Sequence, residues 1–304
     1  MPSKPKVIVV LGTNASGKTS LGVELAKKVN GAIISADSRQ VFLGMDLGTG
    51  KEGKKAKRHG RPVRIIKGIP QYLVDIKKPT QSYSVALWQK EAAKLVEEIW
   101  DSGKIPMVVG GTGLYIDALL KGFQLPKTSN TLRQKLARQS LGQLLNRLQK
   151  LDPKTFKKID QKNKRRIIRA LEVCILTKQP FSAQQKQQKP DWDILKIGVT
   201  HPRDILYQRI DQRVDRRLKQ GMISEVRKLR KQGLSWKKLN DFGLEYRFMA
   251  KYLKGELGKE EMIQQLKFAI HHFAKRQQTW FKKDKQIHWI TTKKQAESLV
   301  KKFL

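Results

Sequence analysis

The chain has 304 residues, 39% of them hydrophobic, which is enough for a packed core and for about two domains, or for one α/β domain carrying an insertion. It holds 64 Lys+Arg against 26 Asp+Glu, a formal net charge of +38; this points to a polyanionic partner, because phosphate contacts release condensed counterions, while a merely lysine-rich solvated surface is the plainer account. One cysteine, Cys174, excludes an intrachain disulfide and a cysteine-held zinc, no run approaches the ~20 apolar residues of a bilayer span, and Met1-Pro2-Ser3-Lys4 leads into the first strand without a secretory apolar segment, so a cytoplasmic protein with no membrane association is expected.

Val7-Ile8-Val9-Val10-Leu11 reads as a buried strand, and Leu21, Leu25 and Val29 set a helical period after it. Between them lies Gly12-Thr13-Asn14-Ala15-Ser16-Gly17-Lys18-Thr19. Strand, glycine-rich turn and helix start are the context in which G-x-x-x-x-G-K-[ST] is a phosphate cradle. Backbone N–H groups close around an anion and the helix N-terminus adds the positive end of its dipole. Lys18 brings a full charge to the phosphate oxygens, and Thr19 offers a hydroxyl to Mg2+. Kinases, NTPases and transferases share such a cradle, so it names no reaction.

Ala32-Ile33-Ile34-Ser35 predicts a second strand that ends at Ala36-Asp37-Ser38-Arg39-Gln40. In open α/β sheets ligand-facing groups sit past the carboxyl ends of strands, so Asp37 belongs near the phosphate loop. A carboxylate there can bind Mg2+ or take a proton from a nucleophile; the alternative is that Asp37 or Ser38 caps a following turn. Residues 42–51 read as irregular, Glu52 to Arg64 as an exposed basic loop or hairpin, and Tyr72-Leu73-Val74-Asp75-Ile76 as an apolar strand. Ser84 starts an amphipathic helix through Trp88, Ala92, Leu95 and Ile99, stopped by Gly103. Ile105-Pro106-Met107-Val108-Val109 is the next strand and runs into a second glycine-rich turn, Gly110-Gly111-Thr112-Gly113-Leu114-Tyr115, expected beside the first.

From Lys121 to Asp193 strand alternation disappears, and eighteen Lys/Arg face five Asp/Glu. We read this stretch as a basic helical insertion, with Arg165 and Arg169 on one helix face and Gln184-Gln185-Lys186-Gln187-Gln188-Lys189 as a polar loop or frayed helix end. The expected layout is residues 1–120 as the first part of the core, 121–193 as the insertion and 194–304 as core completion with C-terminal helices. A core strand at 194–199 precedes a helix with a buried stripe at Leu206, Ile210, Val214 and Leu218. Arg209, Arg213, Arg216 and Arg217 lie beside that stripe, either as a diphosphate clamp or as a solvated face. Gly243-Leu244-Glu245-Tyr246-Arg247 reads as a turn before a helix. The last long helix repeats Ile263, Leu266, Ile270, Phe273, Gln277 and Trp280, and its aromatic residues read as core rather than stacking platforms; the five histidines show no metal-ligand spacing.

Taken together, these motifs resemble tRNA dimethylallyltransferase, the tRNA isopentenyltransferase family in its bacterial form, which lacks a zinc-finger extension. The resemblance rests on the phosphate loop, Ala36-Asp37-Ser38, Gly44-Met45-Asp46-Leu47-Gly48-Thr49, the second glycine turn, Arg169-Ala170-Leu171-Glu172-Val173, Arg209-Ile210-Asp211-Gln212-Arg213, and Ala274-Lys275-Arg276-Gln277 through Trp280-Phe281. It implies a P-loop NTPase-like α/β fold, a parallel sheet flanked by helices, with a helical insertion domain. It implies transfer of a dimethylallyl group from dimethylallyl diphosphate to N6 of the adenosine 3′ of the anticodon in tRNA, with Mg2+; no heptad seam argues for a dimer, so a monomer is expected. Asp37 matches the general base, Thr112 a contact to the target nucleotide, Arg213 the diphosphate-facing arginine, and Lys18 and Thr19 the phosphate and Mg2+ ligands. Asp37 to Gln40, including Ser38 and Arg39, together with Thr112, Arg133, Arg165, Arg166, Arg169, Gly243 and Arg247, match tRNA-contacting positions. Thr13-Asn14 stands where the family usually has Pro-Thr, Phe42 replaces a usual Tyr, and Gln71 lies where a His is usual near Tyr72. The competing readings are a P-loop small-molecule kinase, which leaves the basic insertion unexplained, and a non-enzymatic RNA-binding protein, which leaves the two glycine turns and Asp37 unexplained.

Overall fold

Lys6–Gly12 forms β1, and every residue after Lys6 is buried, as expected for a strand covered by helices on both faces. The computed structural model describes residues 4–126, 128–183 and 187–304; Met1-Pro2-Ser3 and the Gln184-Gln185-Lys186 half of the polar run lie outside them. In chain order there follow α1 (Lys18–Lys28), β2 (Gly31–Ala36), β3 (Lys54–Arg58), β4 (Arg61–Ile66), β5 (Ile69–Tyr72), α2 (Val85–Asp101), β6 (Ile105–Gly110) and α3 (Gly113–Lys121). Four helices come next, α4 (Asn130–Ala137), α5 (Leu141–Leu151), α6 (Pro153–Lys158) and α7 (Lys164–Thr177). The chain then forms β7 (Asp193–Val199), α8 (Arg203–Lys219), α9 (Met222–Lys231), α10 (Trp236–Asp241), α11 (Leu244–Leu253), α12 (Lys259–Phe281), β8 (Ile287–Ile290) and α13 (Lys293–Phe303). No described helix is long and apolar enough to cross a membrane.

The chain divides into two units, one running through Leu119 and resuming at Asp191, the other Leu120–Pro190. The first unit holds a sheet in the order β3-β4-β5-β2-β6-β1-β7-β8. From β5 to β8 neighbouring strands are parallel, and β3 and β4 attach as an antiparallel hairpin. Ile8 and Val10 of β1 pack with Val23, Leu25 and Ala26 of α1, Met107 and Val109 of β6, and Ile197 of β7 in one cluster. Asp191 to Asp193 belong to this unit, since Asp193 already pairs with Lys6.

The fifth strand is Ile69–Tyr72, not Tyr72 to Ile76. Leu73 and Val74 are buried, as their side chains demand, but Leu73 and Asp75 have left-handed backbone with φ of 59° and 58°. A charge network turns the chain there. The Asp75 carboxylate accepts from Lys51 Nζ at 2.6 Å and Arg64 Nε at 2.7 Å, and Arg64 Nη2 also donates to Asp46 Oδ1 at 2.6 Å. Burial acts to raise the Asp46 pKa, but Lys51 and Arg64 outweigh it and hold the carboxyl low.

The second unit is helical. Ser129, Ser140, Asp152 and Asn163 each cap the helix that follows them. Leu136, Leu144, Leu148, Ile167, Ala170 and Leu171 form its core. Glu172 is fully buried beside that core. Its carboxylate accepts from Ser129 N at 2.7 Å, Arg133 Nε at 2.9 Å and Arg169 Nη1 at 2.6 Å, and Arg169 Nη2 donates to Pro126 O at 3.0 Å. Burial alone would raise the Glu172 pKa; these donors together lower it. Arg133 and Arg169 are therefore committed first to a buried carboxylate, while Arg165 and Arg166 on the same helix are exposed.

Candidate active site

The parallel core places the ends of β1, β2 and β6 side by side, so the two glycine turns and Asp37 open into one cleft of about 400 Å³. Gly17 carries a φ of +85° and Ala15 a φ of +60° as the chain turns from β1 into α1. The Lys18 ammonium folds back over this turn and donates to Thr13 O at 3.0 Å. Burial first, then the nearby Arg213 charge, push Lys18 down to about 8. Ser16 Oγ is buried against Gly12 and has no hydrogen-bond partner.

One side chain braces the cradle from the far end of the chain. Gln277 of α12 is buried; its Oε1 accepts from Asn14 N at 2.9 Å and its Nε2 donates to Gly111 O at 2.8 Å. It thus holds the two glycine turns at a fixed separation. Thr112 N donates to Ala36 O at 3.1 Å, and Ser38 N donates to Thr112 Oγ1 at 3.2 Å, which laces the second turn to the end of β2. Asp37 lies at that junction. Its Oδ1 accepts from Arg39 N at 2.8 Å and Gln40 N at 3.4 Å, so the turn-capping role is real, and the carboxylate still lines the cleft. Arg39 reaches Asp241 O at 3.1 Å and lies over the Phe242 ring.

The arginine row of α8 splits. Arg213 and Arg217 face the cleft; Arg209 is turned to His201 Nε2 at 2.8 Å, and Arg216 is exposed. The buried stripe of α8 is Leu206, Ile210, Val214 and Arg217, with Leu218 only half-buried, because the helix faces a polar cleft there rather than core. Both cleft guanidiniums lie against Gly50, where a β-carbon would collide with them. The loop that carries Gly50 is clasped by Glu225 of α9, which accepts from Asp46 N at 2.8 Å, Leu47 N at 2.7 Å, Gly48 N at 3.1 Å and Tyr246 Oη at 2.8 Å. Glu245 completes the charge set; burial raises its pKa, with Arg217 and Arg213 opposing.

On α12 the buried residues are Met262, Leu266, Ile270, Ala274, Gln277 and Phe281. Phe273 and Trp280 are not core: they are 36% and 40% exposed and line the cleft. Trp280 Nε1 donates to Asp117 Oδ2 at 2.9 Å, and its ring covers Gly113 so closely that no β-carbon fits there. Gly243 also lines the cleft, with a φ of 118°. Arg247 turns to Asn240 O at 3.4 Å instead. Phe42 packs edge-on to Phe242 at 4.9 Å, and Gln71 is buried at the cleft wall. Sequence reading missed Glu225, and it held Gln277 and Glu245 only inside motif stretches with no role of their own; a lone glutamine inside an apolar helical stripe was a signal for Gln277.

The donor set suits Mg2+, which keeps several waters and takes one or two protein oxygens plus substrate phosphates. Thr19 and Asp37 both line the cleft, and no group of three or more His, Cys, Asp or Glu that could cage a metal occurs among the described residues.

The IPP transferase family model matches residues 40–284. The tRNA dimethylallyltransferase of Pelotomaculum thermopropionicum is 41% identical over 294 residues, which cover 94% of this chain and 91% of that protein. That of Carboxydothermus hydrogenoformans is 40% identical over 309 residues, covering 98% and 96%. Among solved structures, the tRNA isopentenylpyrophosphate transferase of Bacillus halodurans superposes with a TM-score of 0.68 at 37% identity, over 95% of this chain and 90% of that one.

Proposed function

The chain belongs to the IPP transferase family, and from that membership and the cleft we propose that it transfers a dimethylallyl group from dimethylallyl diphosphate to N6 of the adenosine just 3′ of the anticodon in a tRNA. The observation that carries the reading is the meeting of Lys18, Thr19 and Arg213 with Asp37 and Thr112 in one cleft. A phosphate cradle alone would serve a kinase; a carboxylate and a hydroxyl at the neighbouring strand ends supply what an amine nucleophile needs.

The phosphate loop seats the diphosphate, and Lys18 and Arg213 face the charge that develops on it as the C1–O bond breaks. The new bond forms between N6 and C1 of the prenyl group. Asp37 takes the N6 proton, since an exocyclic adenine amine is a poor nucleophile until that proton leaves. Thr112 Oγ1 accepts from Ser38 N, which leaves its own proton for the target base. Mg2+, held by Thr19 and the diphosphate oxygens, would neutralise part of the leaving-group charge. The adenine must leave its stack to reach Asp37, which a single-stranded anticodon loop permits most readily.

Incubation with labelled dimethylallyl diphosphate, unmodified tRNA and Mg2+ tests this reading. Label is expected in the RNA at one adenosine, with stoichiometric release of diphosphate. ATP hydrolysis with no labelled RNA would instead establish a kinase.

The basic second unit supplies a grip for RNA phosphates. Because Arg133 and Arg169 already serve Glu172, the exposed pair Arg165 and Arg166 is the better probe. Replacing both with glutamine is expected to weaken tRNA binding and to flatten the salt dependence of log K by roughly 0.7–0.9 for each RNA phosphate no longer neutralised, with donor affinity unchanged. Titrating tRNA at several salt concentrations checks it; an unchanged slope places the RNA elsewhere.

A further inference from the structure

Arg217 is 9% exposed, yet its polar interactions are weak: Gly48 O at 3.4 Å and Glu245 Oε1 at 3.6 Å, the latter beyond hydrogen-bond reach. A guanidinium carries five N–H donors, so most of this buried group's capacity is unspent. Arg213, one helical turn earlier, lies against the same Gly50 wall. Burial, and then the repulsion of Arg213, push Arg217 down to about 10. Within the cleft Lys18, Arg213 and Arg217 face two carboxylates, Asp37 and Glu245. A buried guanidinium beside a half-buried one costs free energy unless an anion joins them, and an anion with oxygens on two centres can satisfy both forks at once.

We propose that Arg217 is a second diphosphate-binding residue, paired with Arg213 across the two phosphoryl groups of the prenyl donor, and that Glu245 is its counter-charge in the free protein. This rests on the reading of the cleft as the donor site. A single phosphate of an RNA backbone is the poorer occupant, because the phosphate-loop lysine lines the same cleft as both arginines and lies near them.

The test is calorimetric titration of inorganic pyrophosphate with Mg2+ into the full chain, alongside donor and tRNA KM values. Arg217→Met keeps the apolar stem and removes the fork. It is expected to weaken pyrophosphate about tenfold or more, the scale of one charge-assisted hydrogen-bond pair removed, and to raise donor KM while leaving tRNA KM unchanged. Arg217→Lys, the variant to rely on if the methionine form does not fold, is expected to recover part of the binding. Glu245→Gln keeps the shape and removes the anion, and is expected to bind pyrophosphate at least as tightly as the parent. Parental pyrophosphate affinity in both Arg217 variants overturns the inference, as does loss confined to tRNA binding. Equal weakening in Arg217→Met and Glu245→Gln overturns it too, since that is the mark of a pair that merely holds the fold. If the parent chain itself binds no pyrophosphate, the donor-site reading falls and takes this inference with it.

Discussion

Replacing Asp37 by alanine is expected to lower the turnover of tRNA prenylation by about 10²–10⁴-fold, the usual contribution of a positioned base. Pyrophosphate binding should stay near the parental level, because the cradle is built from β1, α1 and Gln277 rather than from the end of β2. Asp37 also closes a turn by accepting from Arg39 N and Gln40 N, so an alanine variant alone confuses turn loss with base loss. Asp37→Asn separates them: the amide oxygen can still accept from both N–H groups, but the amide takes no proton. Single-turnover rates at saturating donor and tRNA decide the matter. An asparagine variant that works at near-parental speed would leave Asp37 as a turn cap and move the base elsewhere.

Lys18→Ala and Arg213→Ala should each lower kcat as well as donor affinity, since both charges face a leaving group whose charge grows in the transition state. One mutant that raised donor KM with kcat untouched would show a charge that binds ground and transition states equally. The buried Lys18 adds a pH signature. Its pKa in the free protein is pulled down to about 8, and a bound diphosphate favours the ammonium form and lifts that value. Affinity is therefore complete below about pH 8 and falls as pH rises above it, by up to about tenfold per unit, because binding must then take up a proton. Lys18→Ala is expected to flatten this decline. A decline that persists unchanged in the variant belongs to another group.

What the sequence made legible was local. Both glycine turns, the strands that feed them and the helix opened by Ser84 are written in adjacent residues, and the structure holds them where spacing puts them. The basic stretch before Arg64 is a hairpin for the same reason: alternate exposure on an edge strand tolerates lysine. What spacing could not reveal depends on partners far along the chain. Phe273 and Trp280 sit one residue before the buried Ala274 and Phe281, a rotation of about 100° on the helix, and that was enough to take them from core to cleft. Leu73 and Val74 read as strand because burial and extension coincide in most apolar runs; here Lys51 and Arg64 capture Asp75 and bend the backbone. Arg133 and Arg169 looked like open phosphate contacts because nothing local announces that Glu172 will be buried between them. Arg217 was hidden among four arginines whose order along α8 does not say which pair faces inward.

Gln277 has a consequence for the order in which the protein is made. Its two hydrogen bonds span 263 and 166 residues of sequence. A nascent chain therefore exposes its phosphate loop long before the side chain that braces it has been synthesised, and at about 5–20 residues per second that interval lasts tens of seconds. During it the strands β1, β2 and β6 can pair, but Asn14 N and Gly111 O lack the side chain that joins the two turns in the finished protein. The full brace of the phosphate cradle is then complete only once α12 has been made.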